Sequence, residues 1–297
     1  MTQFLQLLLA GLSQGAIYAL LALGFVIVFK AGGVVNFAHP ALVLIGAYLT
    51  VRLGADGLPY PLAVLTAIAG VLVAAAVIQR FLVYRMAGRS VTAIAIMTIG
   101  VDVIIETDIV RRIGSDILPP HDPWQDKVLH LSELTIPQAR LAALATSAVL
   151  ITAFFLWFRF SDWGVAMRAA AEDAETAALM GVRRSRVELF AWLLAGALAA
   201  VAGAFITVFP SPGLQPASAT IALRAFPAAV IGGLDSTSGA VAGGLIVGVA
   251  EVLTQGYASH LTVLGAGFHT VMPYAVMIAV LLARPAGLFG TREIHRV

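Results

Sequence analysis

The ionisable residues of this chain are few, and several stand where a charge is costly. Glu251 lies midway through "LIVGVAEVLTQ", while Asp102 and Glu106 stand four apart in "TIGVDVIIETDIVRR", on one face of any helix formed there. A carboxylate in such a run must face protein, water or a partner, because its charge is expensive in hydrocarbon. Two chemistries fit these acids: proton handling along a relay, or structural hydrogen bonding with solvation at the outer interface. Asp108 and Arg111, three apart, are within pairing reach. Arg224 falls near the outer boundary of its apolar stretch, from which a guanidinium can snorkel to water. No nucleophile–base arrangement or metal set accompanies them. The six histidines (His39, His121, His130, His260, His269 and His295) are scattered without ligand spacing, and there are no cysteines. No "G-x-x-x-x-G-K-[ST]" phosphate loop is present, so no cofactor is expected in this chain and any ATP used on its behalf belongs to another polypeptide.

The elements that hold these residues follow from composition. Of 297 residues, 60% are hydrophobic and 11% charged, whereas a soluble domain carries about 25% charged residues. With a mean hydropathy of +0.94, the chain reads as an integral membrane protein. Its net charge of +2 is too small to suggest nucleic acid. The opening "MTQFLQLLLAGLSQGAIYALLALGFVIVF" has no basic leader and runs too long for a signal peptide, so it is expected to be a retained first span. Since a spanning helix needs about 20 apolar residues, candidate spans fall near 4–29, 38–54, 60–79, 91–110, 139–158, 187–209, 218–233, 240–257 and 266–283. The expected fold is all-α: one polytopic transmembrane bundle over residues 1–297, about 8–10 passes with some helices short or broken.

Orientation follows from the basic residues. Lys30, Arg80, Arg85, Arg89, Arg159, Arg168, Arg183, Arg184, Arg186, Arg284, Arg292 and Arg296 fall on one side of alternating passes; Arg52, Arg111, Arg112, Lys127 and Arg140 fall on the other. The excess of twelve over five assigns the first set to the cytoplasm, with the N-terminus outside and the C-terminus inside. The outer segment 111–138, with Trp124 and apolar Leu129, Leu131 and Leu134, is too short for a domain. It is either an ordinary loop or a docking surface for an extracytoplasmic partner.

Two glycine-rich stretches share a pattern of apolar half, polar break and apolar half: "FKAGGVVNFAHP" and "GGLDSTSG". Broken helices expose backbone groups that lipid cannot satisfy, so such breaks belong against protein or a wet cavity, and paired breaks point toward a transport pathway. Asn36, His39, Asp235, Ser236 and Ser238 are therefore candidates to line or gate one, or else to form an interfacial turn. Gly11–Gly15 and Gly244–Gly248 have the spacing of close helix packing, within the chain or at a subunit interface.

A charged island interrupts the apolar chain at 160–186. In "RFSDWGVAMRAAAEDAETAALMGVRRSRVELF", Ser161 or Asp162 can cap a helix start, Met167 to Met180 favours helix, and Gly181 suits its end. The expectation is one helix of about three turns, with Arg168 and Glu172 in pairing reach. Its alanines, Ala170, Ala174, Ala177 and Ala178, would let another protein's surface approach closely. A solvated connector is the plainer alternative.

This stretch resembles the cytoplasmic coupling motif of the branched-chain amino-acid permeases of bacterial ABC importers, "RA-x-x-ED-x-x-x-A-x-x-x-G-[IV]", with Arg168, Ala169, Glu172, Asp173, Ala177, Gly181 and Val182 in the matching positions. The opening Gly11–Leu49 with its "NFAH", the segment Phe226–Leu253 and the ending "RPAGLFG" also resemble that family, in order along most of the chain. Pro40 and Asp235 depart from it, standing where members more often carry glycine. The resemblance implies an inner-membrane, LivH-like permease subunit that is no enzyme. Implied partners are a second related permease, two cytoplasmic ATPases that use the ATP, and an extracytoplasmic substrate-binding protein. Arg168, Glu172, Asp173, Ala177 and Gly181 would then carry ATPase coupling. Branched-chain or other small apolar amino acids are the implied cargo; urea, short amides or sugars are alternatives. A self-sufficient proton-coupled carrier using Asp102, Glu106 and Glu251 is the rival of a different class.

Overall fold

In a computed structural model, residues 2–125, 127–131, 134–260 and 267–291 are described. Arg292, His295 and Arg296 of the sequence expectations lie outside them. Long apolar runs form helices, as every backbone group must be paired in lipid, and shorter helices lie between them. These are α1 (Thr2–Gly32), α2 (His39–Ala55), α3 (Tyr60–Val77), α4 (Val91–Ile113), α5 (Gln138–Phe160), α6 (Asp162–Glu172), α7 (Ala174–Leu179), α8 (Arg184–Ile206), α9 (Ser218–Leu223), α10 (Ala225–Gly232), α11 (Thr237–Gly256) and α12 (Met272–Ala283). Helix α3 continues through a π-helical turn to Met86. Among the described residues, five elements are long and apolar enough to cross a membrane: Thr2–Gly32, Tyr60–Met86, Gln138–Phe160, Arg184–Ile206 and Thr237–Gly256. The chain is a polytopic helical bundle, as expected.

Two elements carry detail that the sequence does not show. The span 218–233 is a pair of short helices, α9 and α10, separated at Arg224. The outer segment holds an antiparallel hairpin, β1 (Val128–Leu131) with β2 (Leu134–Pro137), in register from Val128 opposite Pro137 to Leu131 opposite Leu134.

The chain forms two compact units that interleave in sequence. One comprises Met1–Val26, Asp126–Ser147 and Arg224–Val297. In it the two G-x-x-x-G faces meet: a Cβ on Gly15 would lie 2.8 Å from the Leu245 Cα, and one on Gly11 2.8 Å from the Val249 Cα. Among the two sequence alternatives for these glycines, close packing within the chain is thus what the fold uses. In the other unit, Ile27–Gln125 with Ala148–Leu223, α2 packs on α8 just as tightly, Gly46 against Ala200 and Gly203 against Val43. Leu44, Ala47, Val51, Ile109, Ile113 and Leu214 form a buried cluster there, and Trp124 lies between the rings of Tyr60 and Phe205 at 5.4 and 5.7 Å.

Candidate functional site

The charged island is two helices rather than one. Ser161 caps α6, its hydroxyl accepting from the Gly164 N–H at 3.0 Å. The helix stops at Asp173, whose extended backbone (φ −150°, ψ 99°) turns the side chain into the cap of α7, accepting from the N–H groups of Glu175 and Thr176 at 3.0 Å. An aspartate competes with helix continuation in this way wherever its carboxylate can reach the next free N–H groups. The Thr176 hydroxyl bond first, and these N–H bonds with it, hold the Asp173 carboxyl below the usual carboxylate range. Gly181 (φ +90°) ends α7 with both bonds of a Schellman cap, Val182 N–H to Ala177 C=O and Gly181 N–H to Ala178 C=O, each 3.0 Å.

The expected Arg168–Glu172 pair is not formed. Arg168 instead donates to the Phe158 carbonyl and lies over that ring, 5.1 Å from its centroid. The carbonyl is one of the orphan acceptors at the end of α5, so it competes successfully for the guanidinium. Ala177 and Met167 face inward, while Glu172, Glu175, Ala178, Leu179 and Met180 are exposed, Leu179 at 84% and Met180 at 82%. Trp163 stacks on Phe190 (5.0 Å, 23°), and Trp157 approaches the same ring at 5.1 Å. The island is therefore braced by an aromatic stack against α8, nearly two turns from its start, and follows α5 after Ser161 alone.

The first polar break lies between α1 and α2. Asn36 and His39 are each 1% exposed. The Asn36 Oδ1 accepts from the Ala38 N–H at 2.9 Å, whereas its buried Nδ2 has no hydrogen-bond partner. A buried donor left so costs about 1–3 kcal/mol, which marks a place for water or ligand. Asn36 lines a cavity of about 480 Å³ together with residues of α1, of the connection after α3, of α4 and of α8. Thr98 and Asp102 of α4 hold the break: the Thr98 hydroxyl accepts from Phe37 N–H at 3.1 Å, and the Asp102 carboxylate from Ala41 N–H at 2.9 Å. Asp102 thus serves an orphan donor in the first turn of α2.

The second break, between α10 and α11, lies against the C-terminal segment. Ser236 caps α11 through the Gly239 N–H at 3.0 Å and approaches Ser238 at 3.3 Å. Asp235 accepts from the Thr291 N–H at 2.8 Å and from its hydroxyl. Leu288 and Phe289 N–H groups bond Ile231 and Gly232 carbonyls at 2.8 and 3.1 Å, satisfying the open end of α10. The ending that follows Arg284 therefore closes a helix terminus, a role its sequence does not announce.

Glu251 is engaged from two sides. Its carboxylate accepts from the Tyr18 hydroxyl at 2.6 Å and from the Arg224 guanidinium at 2.7 Å. Arg224 therefore does not snorkel: it stands at the α9–α10 break and pairs inward, with side-chain exposures of 18% for Arg224 and 7% for Glu251. Tyr18 and Arg224 were not legible as its partners, because nothing in sequence links positions 233 and 27 residues away. Asp108 pairs with Arg111 at 2.8 Å, as expected, and also with Arg112 at 2.7 Å. Among the described residues no three His, Asp or Glu side chains are grouped to hold a metal.

Residues 7–281 match the family described as branched-chain amino acid transport system / permease component. The high-affinity branched-chain amino acid transport system permease protein LivH of Salmonella typhimurium is 32% identical, the match covering 99% of this chain and 98% of that protein. LivH of Escherichia coli K12 matches at 32% over the same shares. A probable branched-chain amino acid transport permease protein LivH of Methanocaldococcus jannaschii is 30% identical, with 91% and 88% covered.

Proposed function

The chain belongs to the branched-chain amino acid transport permease family, and from that premise we propose that it is the membrane-spanning subunit of an ABC importer, moving branched-chain or other small apolar amino acids by ATP-driven alternating access. A second related permease completes the pathway, two cytoplasmic ATPases supply the energy, and an extracytoplasmic binding protein delivers the solute. The twelve-to-five excess of basic residues supports an N-terminus outside and a C-terminus inside.

The observation that carries this is the island: two capped helices, joined to α5 through Ser161 and to α8 through Met180–Arg183, presenting Leu179, Met180, Glu172 and Glu175 outward. A solvated connector has no physical need to expose two large apolar side chains side by side. An ATPase closing on ATP would displace this island, and the Trp163–Phe190–Trp157 stack would carry the displacement into α5 and α8. At the start of α8, Arg184 holds Glu188 at 2.7 Å and the Gly32 carbonyl at 3.2 Å, so that motion reaches the break at Asn36 and His39. The break between α1 and α2 is then a gate. Asp235, Ser236 and Ser238 would serve the corresponding place in the other unit.

The carrier alternative loses its best residue, since Glu251 is committed to Arg224 and Tyr18. Reconstitution tests the two directly. The chain with its permease and ATPase partners in liposomes should take up leucine only with ATP, and Leu179→Arg with Met180→Glu should abolish uptake while leaving membrane insertion intact. Leucine uptake by the chain alone, driven by a proton gradient, would reject the importer.

A further inference from the structure

The 480 Å³ cavity beside Asn36 has a lining that selects for a particular ligand chemistry. Its lining includes the aliphatic side chains of Val28, Val35, Val91 and Ile94. Its charged lining residues carry both signs: Arg89 and Arg184 on one hand, Glu188 on the other. Arg184 and Glu188 neutralise each other at 2.7 Å, while Arg89, exposed, forms no ion pair among the described residues. Deeper, Asn36 is 1% exposed and its Nδ2 is a buried donor with no partner. The volume lies at the small end of ligand pockets, about 300–1,000 Å³, and far exceeds one water.

We propose that this cavity is a binding site within the permease for a zwitterionic amino acid with a branched aliphatic side chain. The Asn36 amide and Arg89 take its carboxylate, Glu188 takes its ammonium, and the valines take its side chain. A carboxylate accepts where the Asn36 donor is unfilled. Arg184 holds only one oxygen of the Glu188 carboxylate, so the other can accept from an ammonium, a partner that an anionic lipid headgroup would leave unused. The site rests on the importer assignment for its purpose, a station beside the gate, but not for its chemistry. Because the Arg184–Glu188 pair sits at the base of α8, occupancy would be felt at the end of the helix that the island moves.

The test is equilibrium binding of tritiated L-leucine, up to millimolar concentration, to the purified full-length chain in phosphatidylcholine nanodiscs. L-Valine should compete, and 4-methylpentanoate and isoamylamine, each lacking one charge, should compete at least about tenfold less well. Asn36→Ala and Arg89→Gln should each weaken leucine binding about tenfold or more. Ile94→Trp, which fills part of the cavity and alters none of its polar residues, should abolish it, guarding against a misfolded Asn36 variant. Absence of saturable binding, binding indifferent to all three variants, or equal competition by 4-methylpentanoate and phosphatidylglycerol would overturn the proposal, the last result marking an anion or lipid site. The importer assignment stands or falls separately, on ATP-dependent uptake by the assembled complex.

Discussion

Replacing Glu251 by glutamine leaves Tyr18 an acceptor but strips Arg224 of its counter-charge. Both side chains are largely out of solvent, at 7% and 18% exposure, so water can screen little of the loss. Breaking one partner of a buried pair costs about 3–5 kcal/mol, chiefly as an uncompensated charge, while removing both charges together is close to neutral. The retained acceptor for Tyr18 and the partial exposure of Arg224 place Glu251→Gln near the low end, about 3 kcal/mol. Arg224→Met should cost a similar amount, and the double variant should lie within about 1 kcal/mol of the parent, a coupling of several kcal/mol. Equilibrium unfolding in mixed SDS micelles, followed by tryptophan fluorescence, reads all three. ATP-driven uptake should fall in the single variants and return in the double. Additive losses, or a double variant that folds but stays inactive, would refute the pairing as the reason for Glu251 and restore it as a transport residue.

Other perturbations follow from equally local contacts. Gly15→Leu should cost about 1–3 kcal/mol by forcing α1 from α11, since a Cβ there already meets the Leu245 Cα at 2.8 Å; Gly100→Ala, with nothing within 4 Å, should be neutral or mildly stabilising in the same unfolding assay. Gly181→Val should lower ATP-driven uptake without preventing insertion, because its +90° φ costs an L-residue about 1–2 kcal/mol. Asp173, whose carboxyl is held below its ordinary range, stabilises α7 fully at neutral pH; amide-exchange protection of Ala174–Leu179 should be lost as acid protonates it, and absent at every pH in Asp173→Ala. Asp235→Ala should free the C-terminal segment, speeding exchange at the Leu288 and Phe289 amides about 5–10-fold.

The helical-bundle class was legible because hydrocarbon imposes length and apolarity on a span, and those survive in the sequence; the family was legible in the motif residues of the island and of the "NFAH" break. The island's two ends were legible for a related reason: Ser161 and Gly181 are local signals that act on their own neighbours. Its middle was not, as the alanine-rich run favours helix while Asp173 uses its side chain to begin a second one. The outer hairpin escaped notice although "KVLHL" and "LTIPQ" are strand-like, since two four-residue strands are set by pairing rather than by local preference. Arg224 was misplaced for a different reason. Snorkelling is what a lone guanidinium does near a membrane boundary, and only the fold shows that Glu251 is opposite it. Asn36 and His39 were singled out by their break, yet the cavity beside Asn36 is assembled from five segments and no one of them implies it.

The central claim is that energy enters this subunit by protein contact at the island, and a single cysteine tests it most directly because the chain has none. Ala178→Cys places a thiol on the exposed side of α7, and Ser115→Cys places one on the outer segment as a control. A short thiol-to-amine cross-linker in native membranes, followed by mass spectrometry, should capture a Walker-motif ATPase from Ala178→Cys and not from Ser115→Cys. Capture of no ATPase at Ala178→Cys, with leucine still accumulated by the purified chain in a proton gradient, would contradict it.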